Sequence, residues 1–165
     1  MKEAFHCLDG YVDPSDPDVD TPNTVHAYQT AERALAARPD DEAYALLGLI
    51  HDVGKVLFTM GLRNTFVVGD THILGCAPPE SAIYPETFAK CPDAKHPIYK
   101  TKYGIYEPNC GLRNVVVTFG HDEYLYKVLE GNCERHSFPE PLWHIVRFHS
   151  PVSYTHLTLP TKRIV

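Results

Sequence analysis

The sequence has no run of apolar residues long enough to span a bilayer. The longest uninterrupted one, residues 45–50, stops at His51, whereas a spanning helix needs about 20 apolar residues. No membrane partner is therefore expected. The opening Met1-Lys2-Glu3-Ala4 leads into no apolar segment of the secretory-signal kind. A basic run is also missing: 15 Lys and Arg stand against 21 Asp and Glu, a formal charge of -6. Phosphate neutralisation supplies most nucleic-acid affinity, so this balance predicts no nucleic-acid partner. The five cysteines (Cys7, Cys76, Cys91, Cys110, Cys133) form no C-x-x-C pair. An odd number without a signal reads as reduced thiols and a cytoplasmic location.

What is present is a core and an excess of histidine. The 165 residues are 44% hydrophobic and 22% charged, the make-up of one globular domain. Ten residues are His, the commonest metal ligand and the natural acid or base near neutral pH. Their placement decides what they can do.

Residues 10–23 hold three prolines and four aspartates, which forbid a regular helix. Thr21-Pro22 then suits a helix start, and residues 25–37 are strong helix formers that end at Pro39. Asp40, Asp41 and Glu42 place negative charge on the first turn of a second helix. Its apolar stripe is Ala43, Leu46, Leu47, Ile50, Val53 and Leu57, at helical spacing throughout. Residues 61–110 hold four glycines and six prolines and predict a long irregular region. Short helical turns are expected near 80–88 and 97–103, and a short strand at Phe66-Val67-Val68. Helices are expected again over 111–118, 121–129 and 139–150. The class is mainly α. After Pro151 no helical period remains. Residues 152–165 read as a non-native tail, of the kind that translated sequencing adapters leave, so the native domain is expected to cover 1–151.

His51-Asp52 sits well along the second helix. Adjacent helical residues point about 100° apart, so an imidazole and a carboxylate can approach a metal from two sides. A carboxylate can also bridge two metals. Lys55 lies at i+4 from His51 and i+3 from Asp52, on the same face, where it can hold a substrate oxygen. His26 lies on the preceding helix, and the short link at 38–41 makes the two helices antiparallel neighbours. His121 begins a later helix and His149 ends the last. Four histidines on separate elements, one of them paired with Asp, are a metal-site pattern. Nitrogen and oxygen ligands suit Fe, Mn, Zn or Ni, so spacing does not choose among them.

The wording of these segments resembles the inositol oxygenase family. The segments are Ser15-Asp16-Pro17-Asp18-Val19-Asp20, His26-Ala27-Tyr28-Gln29-Thr30-Ala31-Glu32, Gly48-Leu49-Ile50-His51-Asp52-Val53-Gly54-Lys55-Val56-Leu57, Val67-Val68-Gly69-Asp70-Thr71, Gly120-His121-Asp122-Glu123-Tyr124 and Arg147-Phe148-His149-Ser150. The match runs from about residue 8 to 150. It implies an HD-domain-like helical bundle with the long irregular insertion at about 61–110. It also implies a di-iron oxygenase that opens myo-inositol with O2 to D-glucuronate, using a mixed-valent Fe(II)/Fe(III) pair. By the resemblance, His26, His51 and Asp52 hold the first iron, and Asp52 bridges to the second, which His121 and His149 complete. Lys55 is the catalytic cation. Asp13, Ser15, Lys55, Gly69, Asp70, His149 and Ser150 match substrate-binding positions, although Pro14 replaces an acidic residue. The expected partners are myo-inositol and O2, and the expected state is a monomer. The family's sixth metal ligand, an Asp beyond the position of His149, has no counterpart in this sequence. Its N-terminal arm, with an Arg that contacts substrate, has none either. The expectation is therefore a truncated chain of weak activity.

An HD-domain phosphohydrolase, in which metals activate water on a phosphate ester, is the alternative. The Gly69-Asp70 and Arg147-Phe148-His149-Ser150 wording and the absence of a basic cluster near His51 argue against it. A helical module with retained histidines and no activity is a third reading. His136 and His144 read as core or surface, and His6, His72 and His96 as loop residues. Asp122 and Glu123 can orient His121, or simply serve the start of its helix. Trp143 and Phe148 read as core, and the cysteines as buried.

Overall fold

The computed structural model of the chain describes residues 2–15, 21–79, 81–82, 85–150 and 157. Its regular elements are helical: α1 (Lys2–Cys7), α2 (Asn23–Ala37), α3 (Glu42–Ile50), α4 (Asn64–Val67), α5 (His121–Gly131) and α6 (Glu140–Arg147), with several 3₁₀ segments between them. Among the described residues the only β-structure is an isolated antiparallel bridge between Ile73 and Val117. The mainly α class expected from the sequence is what the chain adopts.

The chain divides into two compact units. The first comprises Met1–Gly69 and Phe119–Ser150. Within it, Pro22 precedes α2 in extended conformation, and Asp41 caps α3 by accepting the Tyr44 N–H at 3.0 Å. The core is Leu47, Ile50, Val53, Leu125, Leu129, Leu142 and Val146, all buried. These residues come from α3, the segment after it, α5 and α6. Their removal from water is the main force that fixes the helices together, at about 1.5–3 kcal/mol for each fully buried aliphatic side chain.

The second unit is built on Asp70–Thr118. It consists of short 3₁₀ turns (Pro85–Lys90, Pro92–Lys95, Leu112–Asn114) and loops. Backbone and phenol hydrogen bonds hold it. Leu74 N–H donates to Val116 O at 2.8 Å and Thr118 N–H to His72 O at 2.8 Å. The Tyr106 hydroxyl donates to Leu74 O at 2.6 Å and accepts Val116 N–H at 3.1 Å. Gly104, at φ +57°, lies so close to Gly75 that a Cβ would fall 1.7 Å from the Gly75 oxygen.

Four local expectations change. The second helix does not run unbroken to Leu57: α3 ends at Ile50, His51 and Asp52 form a turn, and Val53–Met60 is 3₁₀. Phe66-Val67-Val68 is no strand, since Phe66 and Val67 belong to α4 and Val68 follows it in extended conformation. Of residues 111–118 only Leu112–Asn114 is helical; the β-branched run Val115-Val116-Val117-Thr118 favours extended backbone. Residues 2–7, given no structure above, form α1, and so His6 is helical. Glu42–Met60 is long and apolar enough by average composition to cross a membrane. It supplies core residues and changes helix type midway, and one such segment is weak evidence of a span. Of the tail, only Leu157 is among the described residues; it is buried, and its carbonyl accepts Gly111 N–H at 2.9 Å.

Candidate metal centre

Two glycines bring the site's elements into backbone contact. A Cβ on Gly48 would lie 2.9 Å from Ala31 Cα and Thr30 O, so α3 packs directly on α2. This sets His26, on α2, opposite His51. A Cβ on Gly54 would fall 1.9 Å from the His121 carbonyl oxygen, so the 3₁₀ segment lies against the first residue of α5. The tighter winding after Ile50 turns Asp52 and Lys55 inward, both buried. His149 follows the end of α6, two residues beyond Arg147.

Asp52 is the centre. Its Oδ2 lies 3.7 Å from His26 Nε2 and 3.6 Å from His51 Nε2. Its Oδ1 lies 3.4 Å from His121 Nε2 and 3.4 Å from His149 Nε2. His26 and His51 meet at 3.2 Å between Nε2 atoms, and His121 and His149 at 3.3 Å. Two groups able to hold a metal ion result, His26/His51/Asp52 and Asp52/His121/His149, sharing the one carboxylate.

The tautomers follow from the other ring nitrogens. Nδ1 donates to Gly48 O at 2.7 Å in His51, to Val67 O at 2.8 Å in His121, and to Val146 O at 2.6 Å in His149. A carbonyl can only accept, so each Nδ1 carries the proton and each neutral ring presents a lone pair at Nε2. In the His121/His149 pair two such lone pairs face each other beside a carboxylate, and they repel unless a proton or cation lies between them. Imidazole nitrogens fixed by a backbone carbonyl, with a shared carboxylate, are the donor set of a transition-metal site. The residues fit a pair of such ions.

The electrostatics agree. Burial lowers the His51 pKa to about 4, with His149 and His26 adding to the shift and Asp52 opposing it. Burial also lowers His121. In Asp52 burial works upward, but His149, whose Nε2 when protonated donates to the carboxylate, and the charges around it hold the carboxyl well below its ordinary range. The same bond, against burial, raises His149. Lys55 donates to Asp52 Oδ2 at 2.8 Å and to Asp13 Oδ2 at 2.8 Å; these partners outweigh its burial and raise its pKa. A cation is thus fixed beside the carboxylate that the two candidate metal groups share.

The structure brings together His26, His51, Asp52, Lys55, His121 and His149, and adds Asp13 from the acidic lead-in. Ser15 orders that carboxylate, donating to Asp13 Oδ1 from N at 2.8 Å and from Oγ at 2.6 Å. Asp16 to Asp20 lie outside the described residues. Gly69 closes the first unit at φ +97°, a conformation glycine adopts without strain. Ser150 follows His149 in the first unit, whereas Asp70 opens the second. Not found from the sequence is an ion pair in which Arg147 Nε and Nη2 reach Glu123 Oε2 and Oε1 at 2.5 and 3.2 Å. Also missed is the stack of Tyr11 on Phe58, with ring centroids 4.2 Å apart, which anchors the lead-in. His136 bonds Leu129 O at 3.0 Å and stands edge-on to Trp143, away from the cluster's contacts. The cysteines are not all buried: Cys7 and Cys133 are exposed.

The family model for myo-inositol oxygenase matches residues 1–158. The chain belongs to the myo-inositol oxygenase family. Inositol oxygenase from Bos taurus is 48% identical over 151 residues, covering 91% of this chain and 52% of the relative. Inositol oxygenase from Homo sapiens gives the same figures. Inositol oxygenase 1 from Arabidopsis thaliana is 42% identical over 151 residues, covering 90% of this chain and 48% of the relative. The chain thus spans about half the length of the curated relatives it matches. The myo-inositol oxygenase match includes every element of the cluster.

Proposed function

We propose that the chain carries the oxygenation centre of an enzyme that opens myo-inositol with O2 to D-glucuronate and water. One observation supports this above the rest: in a member of this family, the two oxygens of Asp52 each face a histidine pair, the arrangement that two bridged irons need. His26, His51 and Asp52 would hold one iron, and Asp52, His121 and His149 the other. Bound iron would supply Lewis acidity toward substrate hydroxyls and electrons for dioxygen.

The chain's own residues do the rest. Inositol is a neutral polyol, so recognition calls for hydrogen bonds and one cation, not a phosphate cradle. The Lys55 ammonium favours negative charge on a substrate oxygen beside the metals. Asp13, held by Ser15 and bonded to Lys55, would orient the ammonium and accept a hydrogen bond from a substrate hydroxyl. Gly69, Asp70, His149 and Ser150 are assigned to the remaining hydroxyls by the family's pattern.

The test is anaerobic loading with Fe(II), followed by myo-inositol and O2. About two irons per chain and oxygen uptake matched by glucuronate are expected. Hydrolysis of a phosphate ester without oxygen uptake would instead identify an HD-domain phosphohydrolase.

A further inference from the structure

We infer that Glu123 and Arg147 are positioning residues that set the second metal site, and that site alone. The inference rests on the reading of the four histidines as metal ligands. Glu123 lies two residues after His121 on α5, and Arg147 two residues before His149 on α6. Their side chains meet as a two-pronged fork, Nε on Oε2 at 2.5 Å and Nη2 on Oε1 at 3.2 Å. Both are about nine-tenths buried, with 12% and 10% of the side-chain surface exposed for Arg147 and Glu123. The guanidinium also lies 4.9 Å from the Tyr126 ring and 5.1 Å from the Phe148 ring, so it cannot swing freely.

Beyond the fork, α5 and α6 meet through the aliphatic Leu125, Leu129, Leu142 and Val146 and through the Tyr126 and His144 rings, whose centroids lie 5.6 Å apart. Aliphatic packing tolerates a small slide of one helix along another; a bidentate fork does not, because two parallel bonds fix distance and angle together. A slide would separate His121 from His149, whose Nε2 atoms stand 3.3 Å apart. It would leave His26, on α2, and His51, in the turn after α3, in place. A buried ion pair is a poor source of net stability, so a positional role accounts for this one better than a stabilising role does.

Co(II) titration of the purified protein, followed by its visible spectrum, tests this, with thermal unfolding of each metal-free variant alongside. Arg147→Lys keeps the charge and loses the fork, Arg147→Met removes both, and Glu123→Gln changes one atom. The wild type should take up two ions. In the variants the second ion should bind about 10–100-fold more weakly, the usual cost of losing a group that orients a ligand, while the first is unchanged. Arg147→Lys and Glu123→Gln carry the test if Arg147→Met does not fold. Two wild-type ions and two unchanged ions in the variants would overturn the inference. So would an equal loss at both sites with a lowered unfolding temperature, which marks a general structural role. No Co(II) bound by the wild type would instead overturn the metal reading on which the inference stands.

Discussion

At the residue scale, the proposed function gives Asp52 and Lys55 different parts, metal binding to one and chemistry to the other. The carboxylate belongs to both metal groups, so Asp52→Asn removes the one negative charge that two cations share. Metal content should fall at both sites together. Lys55 touches the carboxylate without belonging to either group: it donates to Asp52 and Asp13 at 2.8 Å each. Removing it leaves Asp52 buried with less compensation, and bound cations replace what is lost. Lys55→Ala should therefore keep its iron and lose about 10²–10³-fold in turnover, the scale for one preorganised electrostatic group. Iron analysis beside the rate of oxygen uptake decides the matter. Loss of iron from Lys55→Ala would make the lysine a structural counter-ion of Asp52.

Secondary elements place these residues through backbone contacts that side chains do not announce. Gly54 is the sharpest case, because a Cβ there would sit 1.9 Å from the His121 oxygen, and a backbone atom has nowhere to go. Gly54→Ala should push the 3₁₀ segment from the start of α5. The expected cost is about 1–3 kcal/mol, as for an overpacked core, with binding lost at the His121 and His149 site. Gly131, at the end of α5, has nothing within 4 Å of an added Cβ. Gly131→Ala, at the last residue of α5, should stabilise the fold by up to about 0.5 kcal/mol of helix propensity and so raise the unfolding temperature. Unfolding curves for both variants, with metal content, would show opposite signs; a harmless Gly54→Ala would refute the close approach. The same contact explains why the break after Ile50 was not legible. Leu46, Ile50, Val53 and Leu57 are spaced as an α-helix spaces them, and the contact at Gly54 is with His121, some seventy residues away, where no local pattern announces it. The helix boundaries were legible near the prolines, which act locally, but the caps were not: Pro22, and not Thr21, stands at the N-cap of α2 with no side-chain bond, and Asp41, read as first-turn charge, is the cap of α3. The fork between Glu123 and Arg147 was not, because each charge already has a local explanation at its own helix end.

For the whole molecule, the legible part was the side-chain cluster and the illegible part the partition of the chain. Histidines on separate helices, a His-Asp pair and a lysine one turn on are sequence facts, and their convergence follows once α2, α3, α5 and α6 share a core. Nothing in composition marks residues 70–118 as a compact unit in their own right, because loops held by scattered carbonyl and phenol bonds have no period to detect. The partition has a measurable consequence. Every proposed metal ligand lies in the first unit. A ligand that binds only the folded form stabilises what must unfold to release it, by about 2.7 kcal/mol at a hundredfold excess over its dissociation constant. Amide hydrogen exchange with and without Fe(II) under anaerobic conditions reads this locally. The amides of His51, Lys55 and Tyr124, bonded to Leu47, Asp52 and Gly120 oxygens, should gain protection of roughly a hundredfold at that excess. Those of Leu74, Ala77 and Thr118, bonded within the second unit, should exchange as before. Equal gains in both sets would show that the two units open as one, and the metal would then stabilise the chain globally, with no local effect at its own helices.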